Sequence, residues 1–127
     1  KINNNTSAKD IADLRASVGW NRMEEYYNNP RKSSYFNISC FEKDRLIGYL
    51  DVVSDGVTDA YIQDLMVRPE FQGRGIGTHL MNMAIEKLKE DHIYMISVVF
   101  EEKLLSFYKR LGFNLMFSGQ IETFRCD

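Results

Sequence analysis

The clearest chemical signal in this sequence comes from residues with the least side chain. Within RPEFQGRGIGTHL, residues 68–80, glycines stand at 73, 75 and 77, Arg74 lies between the first two, and an apolar, helix-like run follows at once. A strand, a glycine-rich turn and a helix N-terminus make an anion site. The first helical N–H groups lack an intrahelical partner, and the helix dipole adds partial positive charge. Glycine lets the backbone approach a ligand and take positive φ, and Arg74 adds a mobile cation. Two common phosphate loops do not fit. A P-loop needs a Lys-Ser/Thr pair that is missing here, and the dinucleotide fingerprint GxGxxG fails because Leu80 follows Gly75 and Gly77 at the required third position. Without a ligand, the same glycines read as a tight packing turn.

Other chemistry-bearing residues are sparse. His79 and His92 are isolated and lack ligand spacing, so no metal site is expected. Cys40 and Cys126 have neither CxxC spacing nor a nearby histidine. They read as free thiols in a reducing cytoplasm, although a disulfide between them is compatible with the sequence.

The surrounding elements must position the glycine loop. TSAKDIADLRASVGW (6–20) reads as a helix capped by Thr6 or Ser7, with Ile11, Leu14 and Val18 at helical spacing and Gly19 as the stop. RMEEYYNNP (22–30) reads as a short second helix ending before Pro30, and NNPRKSS as a loop. YFNISCF (35–41) and RLIGYLDVV (45–53), joined by EKD, predict a hairpin. After the turn SDGVTD, AYIQDLMV (60–67) is apolar on both faces apart from Gln63 and Asp64, as a central buried strand would be. The pattern is helical from Gly75 to about Lys89, with Ile76, Leu80, Ala84 and Leu88 on one stripe. IYMISVVF (93–100) predicts a strand and EKLLSFYKRL (102–111) a helix ended by Gly112. FNLMF (113–117) and IETFRC (121–126) predict two last strands. The order ααβββαβαββ gives one α+β domain over residues 1–127, a mixed sheet with helices on both faces.

The bulk numbers agree with one such domain. The chain has 127 residues, 44% of them apolar and 13% aromatic, enough to build a single core. A net charge of −2, from 16 basic and 18 acidic residues, gives no general pull toward nucleic acid. The apolar stretches fall far below the roughly 20 residues of a membrane span. No signal-peptide pattern opens the chain, and residue 1 is Lys, consistent with a trimmed start.

VRPEFQGRGIGTHL resembles the acetyl-CoA-binding signature of the GCN5-related N-acetyltransferases, Q/R-x-x-G-x-G/A, here Gln72, Gly75 and Gly77. LLSFYKRLGF resembles the second common stretch of that family, and the two lie in the family's order across nearly the whole chain. The resemblance implies the acyl-CoA N-acyltransferase fold, a mixed, mostly antiparallel sheet flanked by helices. It implies acetyl-CoA as donor, with the pyrophosphate on the backbone of Gln72, Gly73, Arg74, Gly75, Ile76, Gly77 and Thr78. The pantetheine arm would lie like an added strand along Leu65, Met66 and Val67, where an exposed edge offers unpaired N–H and C=O groups. The acceptor expected is a primary amine of a small molecule, acetylated by direct transfer in a cytoplasmic enzyme. A protein or peptide acetyltransferase and a non-catalytic acetyl-CoA-binding module are the alternatives, and a homodimer is the family-level expectation.

Acetyl transfer from a thioester to an amine needs a deprotonated amine, a hydrogen bond to the carbonyl oxygen and a proton for the departing thiolate. Tyr108 matches the tyrosine that serves as the acid in this family, and a phenol pKa of about 10 suits a thiol leaving group. A backbone N–H near Met66 or Val67 would serve the oxyanion. Two positions depart from the family. Many relatives carry a glutamate where Gln63 stands, and an asparagine where Glu101 stands. Strand alternation puts Tyr61, Gln63 and Leu65 on one face and Ile62, Asp64 and Met66 on the other. Gln63 with Tyr61 could orient a water, Asp64 is the nearest carboxylate but needs a bulge to share that face, and the reaction could lack a dedicated base. Glu101 and Glu102 suit a helix N-terminus or attract a cationic amine. Trp20 and Glu24–Tyr27 are candidates for the acceptor wall.

Overall fold

The computed structural model describes residues 1–3 and 5–123. Helix α1 spans Ala8–Ser17 and α2 is a single turn, Glu24–Tyr27. Strands β1 (Phe36–Glu42), β2 (Arg45–Ser54) and β3 (Asp59–Val67) follow. A 3-10 turn at Pro69–Phe71 leads into α3 (Ile76–Glu90), then strand β4 (Met95–Ser97), a second 3-10 turn at Glu102–Leu104 and α4 (Leu105–Arg110). The sheet order is β1-β2-β3-β4, antiparallel except for the parallel pair β3–β4.

Local chemistry accounts for these boundaries. The Ser7 hydroxyl accepts from the Asp10 N–H and caps α1. Lys43 takes positive φ in the two-residue turn between Glu42 and Arg45. The first three residues also join the sheet. Ile2 bridges Ile38 antiparallel, and the Ser39 N–H donates to the Lys1 carbonyl at 2.9 Å.

Helices cover both faces, as the element order predicted. On one side Ile11 and Leu14 of α1 pack with Leu46, Tyr49 and Met66, and Tyr27 of α2 closes the cluster. On the other side Leu80, Met81, Ala84 and Leu88 of α3 and Tyr108 of α4 pack with Phe36, Ile38, Leu50, Val52 and Ile62.

Three expectations are corrected. Simple alternation along β3 fails at Asp64, which has φ +59°. Tyr49 pairs with Met66 and Asp51 with Gln63, so β3 carries one more residue than β2 across this stretch. This is a β-bulge. It returns Asp64 and Met66 to the α1 face beside Gln63 and sends Leu65 to the α3 face. The strand predicted over 93–100 shortens to Met95–Ser97, because only Asp59, Ala60 and Tyr61 of β3 pair with it. FNLMF forms no strand among the described residues: Leu115, Met116 and Phe117 stand exposed, with no described ladder to join. Ile121–Thr123 are likewise irregular. The rest of IETFRC, and with it Cys126, lies outside the described residues. Cys40 is a half-buried free thiol.

Candidate active site

The parting of β3 and β4 creates the site. Past Tyr61 the two parallel strands diverge, and β3 from Ile62 to Val67 has no partner on that side among the described residues. A groove of about 510 Å³ opens there. One wall is the end of β3, with Leu65, Met66 and Val67. Its floor is the glycine loop and the start of α3, with Gln72, Gly73, Gly75, Ile76, Gly77 and Thr78. Across from these stand Phe107 and Tyr108 of α4 and, at the mouth, Glu101 and Lys103. Val18 and Trp20, just past α1, close one end.

The loop is built for backbone recognition. Gly75 is the N-cap of α3 with φ +82°, and no side chain caps the helix. The first N–H groups of a 15-residue helix therefore face the groove without a side-chain acceptor. Space does not dictate glycine at 75, since nothing lies within 4 Å of where a Cβ would sit. The backbone conformation does. A Cβ added at Gly77 would meet Phe107 and Val67 at ordinary contact distance, so the glycine keeps that part of the cleft open. The Gln72 amide donates to the Val67 carbonyl at 2.9 Å, so a strand-like ligand on β3 must share or displace that bond. Arg74 is the one predicted loop residue that does not line this groove. It stacks on Phe71 and lines the neighbouring hollow between α3 and β1.

Tyr108 is 7% exposed, stacks on Phe100 at 4.3 Å and meets Phe107 and Phe113 edge-on. Its hydroxyl hydrogen-bonds no described group. Burial first, and then the nearby Tyr61 phenol, raise its pKa above the usual phenol value.

Gln63 and Asp64 have distinct surroundings on the α1 face. The Gln63 amide nitrogen donates to Asp51 at 3.2 Å. Asp51 is fully buried, and its carboxylate also accepts from Lys32 at 2.9 Å and from the Val52 N–H at 3.1 Å. A carboxylate oxygen held this way only accepts, so the Gln63 amide is oriented with its nitrogen toward Asp51 and its oxygen left as an acceptor. The Asp64 carboxylate accepts from the Tyr27 hydroxyl at 2.5 Å and from Arg15 at 3.4 Å. Arg15 is itself buried, donates to the Asn21 carbonyl and side chain, and lies over the rings of Trp20 and Tyr27. Burial, reinforced by Asp64, raises the Tyr27 pKa.

Sequence reasoning missed Asp51, Lys32 and Arg15. The aspartate within GYLDVV was the available signal, because a charge inside a buried strand requires a partner. Nothing in the local sequence tells Arg15 from an ordinary exposed helix arginine. Glu101 pairs with Lys103 at 3.4 Å, and both are largely exposed. No cluster of metal-ligating side chains occurs among the described residues.

Residues 6–113 match the model of the acetyltransferase (GNAT) family. The chain belongs to that family. It is 33% identical over 116 residues to the uncharacterized N-acetyltransferase ycf52 of Pyropia yezoensis, covering 87% of this chain and 67% of that protein. The chain spans about two thirds of the length of the ycf52 relatives it matches. Among solved structures, a Staphylococcus aureus protein described as a probable acetyltransferase superposes with TM-score 0.86 at 23% identity, over 98% of both chains. An aminoglycoside 6'-N-acetyltransferase complexed with coenzyme A superposes with TM-score 0.67 at 17% identity, over 88% of this chain and 83% of that one. At these identities the structures establish the shared fold.

Proposed function

We propose that this chain transfers an acetyl group from acetyl-CoA directly to a primary amine of a small molecule. One observation carries the reading. A single groove holds the uncapped N-terminus of α3, the unpaired end of β3 and the unpartnered phenol of Tyr108. The residues fit coenzyme A. The N–H groups of the Gly75–Thr78 turn suit a pyrophosphate, and Leu65, Ile76, Leu104 and Phe107 give the pantetheine arm apolar walls. Bound acetyl-CoA supplies an activated thioester within reach of an amine.

The chain's own residues then divide the work. The Tyr108 hydroxyl keeps its proton well into the alkaline range and can donate it to the thiolate sulfur as the carbon–sulfur bond breaks. A backbone N–H at Met66 or Val67 is available to the carbonyl oxygen. The Gln63 oxygen can accept from the incoming amine or from a water that takes its proton. Asp64 as base would first have to give up Tyr27 and Arg15, which favours Gln63 as the polar group on the acceptor side. No cysteine among the described residues lines the groove, in keeping with direct transfer rather than an acetyl-enzyme.

The test is release of free coenzyme A from acetyl-CoA across a panel of amines and N-terminal peptides. Release with one class of small amine supports the reading. Label on peptides alone would reassign the acceptor to protein, and binding without turnover for every acceptor would make the chain a binding module.

A further inference from the structure

The cluster around Asp51 has the parts of an alkylammonium site, and the chain fills that site itself. Asp51 is fully buried in β2. A carboxylate in that setting requires a cation. Lys32 supplies it from residues 28–35, which form neither helix nor strand. Its Nζ donates to Asp51 Oδ2 at 2.9 Å and stands 5.2 Å from the centre of the Tyr27 ring. A carboxylate and an aromatic face together are what an alkylammonium group binds best. The Lys32 side chain is 27% exposed, so solvent reaches its place.

The same face offers an acceptor that nothing uses. Asn37 lies opposite Asp51 on β1, so the two side chains share a face. Its Oδ1 is buried and has no hydrogen-bond partner among the described residues. A buried acceptor left this way calls for a donor. The neighbouring ion pair is different in kind. Arg15 reaches Asp64 but is also held by the Asn21 carbonyl, the Asn21 side chain and the Tyr27 hydroxyl. Lys32 has Asp51 and the Tyr27 ring alone. Of the two cations, Lys32 is the exchangeable one.

We propose that Lys32 holds the place of a second ammonium group of the acceptor, and that the acceptor is a short aliphatic diamine. The inference rests on the acetyl transfer proposed above. The attacking nitrogen must be uncharged, whereas a nitrogen paired with Asp51 keeps its proton. Two nitrogens are therefore needed, and the Gln63 amide separates their places. Its nitrogen end is fixed on Asp51, and its oxygen end accepts from the reacting amine. A chain of a few methylenes spans the two. Tyr61 precedes Gln63 by two residues on the same face and lies near the Tyr108 phenol, so the path from Asp51 past Gln63 leads toward the groove. The diamine replaces one ammonium with another, and Asp51 is never left bare. A monoamine cannot make this exchange, because it has no second charge to compensate Asp51 once Lys32 leaves.

The test has two arms. The first needs no catalysis. Thermal unfolding of Lys32→Ala is followed with 1-aminobutane and with sodium chloride at equal ionic strength. The amine restores the missing cation, so it is expected to raise the melting temperature by several degrees beyond the salt. The native chain, whose site is filled, is expected not to respond. The second arm needs no variant, so it stands even if Lys32→Ala does not fold. The native chain is expected to acetylate 1,3-diaminopropane or 1,4-diaminobutane with kcat/KM at least about tenfold above 1-aminopropane and 1-aminobutane. Equal kcat/KM for diamines and monoamines would overturn the proposal. So would a Lys32→Ala protein that 1-aminobutane stabilises no more than salt does. A native chain that acetylates none of these amines, while Lys32→Ala still responds to 1-aminobutane, would overturn the diamine as acceptor and leave the ammonium site standing.

Discussion

In the proposed transfer, Tyr108 serves as the acid only while it keeps its proton. Its pKa lies above the ordinary phenol value because burial penalises the phenolate. The protonated form therefore persists through the working range and is lost only as pH rises past about 10. The rate should climb as the acceptor amine deprotonates and then hold level, with no alkaline fall below about pH 10. Tyr108→Phe should lower kcat by about a hundredfold or more, with the Kd for acetyl-CoA little changed, as read by steady-state kinetics and calorimetry. An equal loss in binding would mean that the phenol holds the cofactor instead. Lys32 has a different role. Its ammonium compensates the buried Asp51 carboxylate. Lys32→Ala should cost about 3 kcal/mol in denaturant unfolding and release the Gln63 amide from its fixed orientation.

At the scale of elements, the glycine turn and the β3 bulge act separately. Gly75→Ala meets no steric obstacle but must hold an L-residue at φ +82°. It should cost about 1 kcal/mol of stability and weaken acetyl-CoA binding roughly tenfold, about 1.4 kcal/mol, as the first N–H groups of α3 tilt. Gly77→Ala, with a permitted backbone, should leave stability unchanged and lower affinity only through its methyl in the cleft. Arg15→Ala should unpin the connector between α1 and α2 from the bulge at Asp64 and lower thermal stability by about 3 kcal/mol. Arg15→Lys should not restore it, because a single ammonium cannot span Asn21, Tyr27 and Asp64 together. The sequence disclosed the glycine turn because its chemistry is local: spacing and residue type suffice. It hid the bulge, because an extra residue on one strand appears only when the register with its neighbour is known. That one residue decides whether Asp64 faces α1 or α3. The element types of the first hundred residues were legible from period and turn residues. The last strands were not, since FNLMF has strand composition but its ladder partner is not set by local pattern.

On the scale of the molecule, the sheet is a frame whose two faces have different tasks. The α3 face carries the larger core and the α1 face carries two polar clusters, Lys32–Asp51–Gln63 and Arg15–Tyr27–Asp64. The groove lies where β4 leaves β3, so in the proposed binding mode a ligand would complete the sheet rather than merely fill a hole. Acetyl-CoA at 100 times its Kd should therefore raise stability by about 2.7 kcal/mol and shift the melting temperature up by several degrees. It should also slow amide hydrogen exchange at Leu65, Met66 and Val67 more than in β1.

The central claim is that Tyr108, the unpaired end of β3 and the uncapped start of α3 form one acetyl-transfer site. The most direct measurement is thiol release from acetyl-CoA with an amine panel, run side by side on the native chain and on Tyr108→Phe at equal cofactor occupancy. Amine-dependent release by the native chain, lost in the variant while acetyl-CoA still binds, is the predicted result. Undiminished release by Tyr108→Phe, or release that ignores every amine, would contradict it.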